Sequence, residues 1–151
     1  MSGACLPDIL IEPVVRAALL EDLGRAGDVT TDAIVPAAMT ATGEIVAREP
    51  GTVAGVRAAE LAFRLLDPTM RARVLAPDGT PVARDDVVMR LTGSARMLLS
   101  GERVALNVLC RLSGIATATA QLVAAVEGHG VAITCTRKTT PGLRALEKAA
   151  V

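Results

Sequence analysis

The sequence predicts a small α+β unit built on a short mixed sheet, followed by the opening of an α/β domain. Three observations carry this. Residues 40–93 hold short runs of alternating apolar and polar side chains, broken by Pro, Gly and Asp, around one amphipathic helix. Residues 95–126 then read as helical almost throughout. Residues 131–136, Val-Ala-Ile-Thr-Cys-Thr, are β-prone with neither face charged, which is how a strand covered on both sides reads.

Residues 8–23 form the first predicted helix, with Val15, Leu19 and Leu23 on one stripe and Gly24 as its stop. Pro13 is awkward inside it and marks a possible true first turn, capped by Ile11 or Glu12. The loop Glu21–Thr31 is polar and glycine-bearing. Asp28 is placed to accept hydrogen bonds from the backbone or from Thr30 and Thr31. The other reading, Asp22 and Asp28 holding a metal, has no third ligand spaced nearby.

Residues 42–48 alternate as a strand, and Glu49-Pro50-Gly51 turns the chain. A short apolar run, 53–56, leads into a helix at 57–66, with Val56, Ala59, Phe63 and Leu66 in register and Asp67-Pro68 ending it. Strands are predicted at 71–76 and 86–92, with Asp78-Gly79 as a hairpin signal between them. Nothing in this region reads as catalytic.

Two helices are then expected, about 95–112 and 115–126, joined at Ser113-Gly114, with Ser113 as N-cap of the second. Leu98, Leu99, Glu102, Ala105, Leu106, Leu109 and Leu112 cluster on one side of the first. Arg103, Asn107 and Arg111 recur every four residues opposite. Arg103 has two readings: a surface ion pair with a neighbouring element, or a charge projected toward a ligand or partner subunit. His129, the only histidine, lies in a glycine turn and reads as a surface residue.

The strand at 131–136 runs into Arg137, Lys138, Thr139, Thr140 and a Pro141-Gly142 turn. Cations at the carboxyl end of such a strand stand where α/β folds place ligands. Arg offers a planar fork for carboxylate or phosphate and Lys a mobile point charge, so the segment points to an anionic ligand. A merely solubilising role fits less well, because the chain has only two Lys, Lys138 and Lys148, beside fourteen Arg. Pro141 to Val151 reads as a helix start, with Leu143, Leu146 and Ala150 on one face. A helix after a parallel strand calls for a further strand beside the first, so the chain reads as cut short within an α/β domain.

Composition bounds the function. Hydrophobic residues make up 51% of the chain, enough for a sizeable core, yet Phe63 is the only aromatic. Stacking platforms for single-stranded nucleic acid are therefore missing. Sixteen acidic and sixteen basic residues cancel, leaving no broad basic field for nucleic acid or an anionic membrane. No uninterrupted apolar run reaches the ~18 residues of a membrane span. Asp8 and Glu12 do not suit a signal peptide. Cys5, Cys110 and Cys135 are expected as free, mostly buried thiols in a reducing, cytoplasmic protein.

Three blocks carry a resemblance. They are Glu21 through Thr31; Glu102-Arg103-Val104-Ala105-Leu106-Asn107 with Arg111 through Thr117; and Thr134-Cys135-Thr136-Arg137-Lys138-Thr139-Thr140-Pro141-Gly142-Leu143-Arg144 through Lys148. Together they resemble the quinolinate phosphoribosyltransferases, or carboxylating nicotinate-nucleotide pyrophosphorylases. The resemblance implies an α+β N-terminal sandwich with flanking helices at 1–112. The first strand and helix start of an incomplete α/β barrel would follow at 113–151. It implies a glycosyltransferase of NAD biosynthesis that joins quinolinate to 5-phosphoribosyl 1-pyrophosphate with Mg2+, giving nicotinate mononucleotide, pyrophosphate and carbon dioxide. It implies a homodimer with shared active sites. Arg103 would reach the neighbouring subunit's site, while Arg137 and Lys138 would serve their own.

On that resemblance Lys138 is the candidate catalytic residue. Arg103, Arg137, Lys138, Thr136 and Thr139 are candidate substrate contacts, and the Mg2+ ligands are expected mostly beyond residue 151. Thr139 and Thr140 either bond a carboxylate or shape the loop; Arg144 is an outer anion contact or a helix-surface residue. The 151-residue chain alone is expected to be inactive. Two alternatives stand beside this: a non-catalytic structural or dimerisation unit, and the pyrophosphorylase paralogue of molybdenum transport systems.

Overall fold

The computed structural model describes residues 6–151, so Cys5 lies outside the described residues. The first helix, α1 (Asp8–Leu23), keeps its predicted bounds and buries Ile11, Val15 and Leu19, one residue per turn. Pro13 does not start it. The helix begins after Pro7 and passes through Pro13, whose missing N–H frees only the carbonyl one turn back, at the exposed Ile9. Gly24 ends the helix at φ 54°, its N–H donating to Leu20 O.

A short helix that periodicity did not predict, α2 (Val29–Ile34), follows. Asp28 is its N-cap. Strand β1 (Thr40–Val46) leads to β2 (Gly51–Thr52) and helix α3 (Val56–Arg64), which buries Val56, Ala58, Ala59, Leu61, Ala62 and Phe63. Next come β3 (Arg71–Val74), β4 (Pro81–Val82) and β5 (Val87–Ser94). The sheets are not mixed: β1-β5-β3 is antiparallel throughout, and β2-β4 is a separate antiparallel pair. The register of β1 with β5 places Glu44 opposite Arg90 and Thr42 opposite Thr92, and both pairs hydrogen-bond on the exposed face, while Ile45, Met89 and Leu91 turn inward.

The two strands expected on either side of Asp78-Gly79 do pair antiparallel, as β3 with β5, but the connection between them is longer than a tight turn and carries β4, which pairs with β2. Asp78 Oδ1 accepts from the N–H of Val56 at 2.9 Å, in the first turn of α3.

The expected break at Ser113-Gly114 is absent. One helix, α4 (Ala95–Ala125), runs through it. A helical glycine costs only about 1 kcal/mol relative to Ala, which tertiary contacts on both sides outweigh. Ser113 caps nothing; Ser113 Oγ accepts from Ala54 N at 3.0 Å, and Thr117 Oγ1 accepts from Thr52 N at 2.8 Å. The hydroxyls of α4 thus satisfy the backbone of the 51–55 segment. Close approach is secured elsewhere than at Gly114. A Cβ on Gly55, already at φ 92°, would stand 2.6 Å from Leu112 Cδ1, and one on Gly101 2.8 Å from Phe63 Cδ1. By length and composition alone α4 is apolar enough to cross a membrane. In this fold it is the beam against which α1, α3 and the sheet pack.

Beyond Ala116 no residue of α4 is buried. Residues 131–136 form no strand, because a strand is completed only by a neighbour's ladder and none of the described residues pairs with them. The chain closes with α5 (Arg144–Ala149), with Leu146 and Ala150 buried as the 143/146/150 face predicted. Cys110 and Cys135 are exposed, against the expectation of burial.

Candidate functional site

Three elements carry the candidate groups: the outer stripe of α4, the 136–140 segment, and the α1–α2 corner. The corner is fastened first. Asp28 Oδ1 accepts from Thr31 N at 3.0 Å, and Oδ2 accepts from Thr31 Oγ1 at 2.6 Å and Ser100 Oγ at 3.2 Å. The Thr31 hydroxyl, then its amide, then Ser100 and the charge of Arg103 hold the Asp28 carboxyl below its ordinary range. Arg96 adds a second tie, donating from Nη1 to Asp32 Oδ1 at 2.8 Å and from Nε to Val35 O at 2.8 Å.

On this corner Arg103 Nη1 donates to Asp22 Oδ1 at 2.6 Å. The pair is lopsided: the Asp22 side chain is 17% exposed, that of Arg103 71%. The Asp22 hydrogen bond, with its charge, keeps the guanidinium more firmly protonated than usual. Arg103 therefore makes the surface ion pair that was one of its two readings. The contact is made by one nitrogen and leaves the remaining donors toward solvent. Asp22 and Asp28, the candidate metal pair, are committed to Arg103 and to the α2 cap. Among the described residues no three His, Cys, Asp or Glu side chains converge on a metal position.

Arg137 and Lys138 are exposed, and neither side chain has a partner among the described residues. Thr136 Oγ1 accepts from Lys138 N at 3.2 Å, a local turn that sets the backbone between the two cations. Thr139 Oγ1 accepts from Arg144 Nε at 3.1 Å, so Thr139 and Arg144 stiffen the loop end. His129 is exposed, as expected. No hydrogen bond or ion pair joins Arg103 to residues 136–139.

Pairwise spacing could not reveal the anchor of this segment. Arg111, on the α4 stripe, donates from Nε to Glu147 Oε1 at 2.9 Å, and its Nη2 reaches both Glu147 and the Thr140 hydroxyl. Glu147 Oε2 accepts from Thr140 N at 3.0 Å. Glu147 is buried, and Arg111, then the Thr140 amide and hydroxyl, lower its pKa. The four-residue stripe flagged Arg111, but its carboxylate lies 36 positions away, beyond any local signal.

A cavity of about 870 Å³ opens elsewhere, between β1 and α4, lined chiefly by apolar groups such as Ile45, Leu98, Leu106 and Leu109, and none of the five candidate residues lines it. The two adjacent cations, Arg137 and Lys138, stand on the outer surface.

Fold and sequence together define a class: α+β proteins named as pyrophosphorylases and phosphoribosyltransferases. Residues 28–113 match the quinolinate phosphoribosyl transferase N-terminal domain and residues 115–151 its C-terminal domain. The chain belongs to the quinolinate phosphoribosyltransferase family. It is 46% identical over 147 residues to a probable carboxylating nicotinate-nucleotide pyrophosphorylase of Synechocystis, covering 95% of this chain and 48% of that protein. It is 45% identical to the corresponding Mycobacterium leprae protein, covering 91% of this chain and 49% of that one. Its fold matches the crystal structure of NadC from Streptococcus pyogenes with a TM-score of 0.93 at 38% identity, covering 97% of this chain and 52% of that one. The chain spans about half the length of the relatives it matches.

Proposed function

We propose that this chain supplies the quinolinate-binding cations of a transferase that converts quinolinate and 5-phosphoribosyl 1-pyrophosphate to nicotinate mononucleotide, pyrophosphate and carbon dioxide. The observation that carries this is the exposed, partnerless Arg137-Lys138 pair, which lies within the matched C-terminal segment. Quinolinate is a planar pyridine with two adjacent carboxylates. Fork-shaped and point-like cations suit them, and free donors are what a ligand site needs.

In this reading Arg137 and Arg103 hold the carboxylates, Thr136 and Thr139 shape or contact the ring's edge, and Lys138 is the catalytic cation. The ring nitrogen attacks the anomeric carbon and pyrophosphate leaves. The adjacent carboxylate departs as carbon dioxide, and the electron pair left on the ring carbon takes a proton from solvent. Positioning and charge stabilisation do this work, with no protein nucleophile. The free donors of Arg103 support its reaching the site of a neighbouring subunit in a homodimer with shared sites, and the two matched segments support a division at 1–112 and 113–151. A cytoplasmic location fits this metabolic role. In this reading Mg2+ serves the transfer, with its ligands mostly in the half of the relatives' length that this chain does not span.

Product formation by a chimera tests the proposal. Residues 1–151 are joined to the complementary half of the Synechocystis relative and offered quinolinate or nicotinate, which lacks the second carboxylate. Mononucleotide from quinolinate alone supports the reading; equal use of nicotinate overturns the assignment of the cations to two carboxylates.

A further inference from the structure

Residues 131–139 are largely exposed, and they carry the candidate cations Arg137 and Lys138. The fixed point is at Thr140. Its N–H donates to Glu147 Oε2 and its hydroxyl meets Arg111, which also grips Glu147 Oε1 through two nitrogens. A carboxylate as buried as Glu147 demands donors, and here it has three. Arg111 stands two helical turns from Arg103 along α4, about 12 Å by helical rise.

We propose that Arg111 and Glu147 are a positioning pair: they fasten the cationic segment at a set height on α4, and Arg111, though on the same stripe as Arg103, is not a ligand cation. Lys138 lies two residues from the fastened Thr140, so its Cα stays within about 7 Å of an anchored point. Arg103 donates through one nitrogen and keeps free donors, whereas Arg111 spends its fork on Glu147 and Thr140. What is positioned has meaning through the functional reading above, but the fastening itself is testable without substrate.

The natural thiols report it. Cys110, on α4, and Cys135, on the segment, are both exposed. With Cys5→Ser, spin labels on these two give a distance distribution in the 151-residue protein. Successive helix residues point about 100° apart, so a label on Cys110 leaves the Arg111 side chain in place. Glu147→Gln keeps the size and removes the charge. The pair as proposed gives a single narrow distance in the parent and at least a twofold broader distribution in Glu147→Gln. Glu147→Asp restores part of the narrowing. Arg90→Gln, which breaks the remote Glu44–Arg90 pair, changes nothing. A distribution unchanged by Glu147→Gln, or equally broadened by Arg90→Gln, overturns the proposal. Because no turnover is read, failure of the quinolinate assignment would leave these distances as they are.

Discussion

Arg103 and Arg111 share a stripe of α4 and meet different partners. Arg111 is spent on Glu147 and Thr140, while Arg103 touches Asp22 through one nitrogen and stays 71% exposed. The stripe was legible from spacing, but the partners were not, because each carboxylate lies tens of residues away in sequence. Arg103→Ala in an active chimera is expected to lower kcat/KM for quinolinate about 10²-fold or more, the usual cost of one well-placed charge. Parent-like kinetics would remove Arg103 from the site. Acid stability is decided at the same scale. Asp28 and Glu147 fall below their ordinary values of 3.8 and 4.5 because their hydrogen bonds favour the charged forms. Their contribution is complete above those values and lost as pH falls through the lower folded ones. Thermal midpoints should hold from pH 7 to about 5 and drop below about 4. Asp28→Asn keeps a cap acceptor and should flatten that drop; an acid limb left unchanged would contradict the assignment.

Helix α4 shows where local reading stops. Its apolar positions, its outer stripe and its start were all readable from periodicity. Ser113-Gly114 gave a sound local signal for a break that the tertiary structure overrode, because the hydroxyls there serve the 51–55 backbone. At Asp78-Gly79 the local signal agreed with the pairing of β3 with β5, and the carboxylate additionally serves α3. Two glycines of α4 should now respond in opposite directions. Gly114 faces open space, so Gly114→Ala should stabilise by about 0.5–1 kcal/mol from helix propensity. Gly101 faces the Phe63 ring, so Gly101→Ala should destabilise by about 1–3 kcal/mol through overpacking. Denaturant midpoints check both, and shifts of the same sign would refute the packing described for α4.

At the scale of the molecule, the α+β body was legible because each of its larger elements carries a clear period and its own stop signal. Pairing was legible only for β3 with β5, across the Asp78-Gly79 turn; β2 with β4 and β1 with β5 are long-range choices. The strand expected at 131–136 did not form, since those residues have no described neighbour to complete it. The chain spans about half the length of the relatives it matches. The 151-residue polypeptide alone is expected to form no nicotinate mononucleotide above background, and detectable formation would show that the essential groups are all within it. The most direct measurement is carbon dioxide release by the chimera, with each substrate omitted in turn, compared with the same chimera carrying Lys138→Ala. Release that needs both quinolinate and 5-phosphoribosyl 1-pyrophosphate, and falls at least ~10²-fold in the variant, is the predicted result. Undiminished release from the Lys138→Ala chimera would contradict the central role given to that cation.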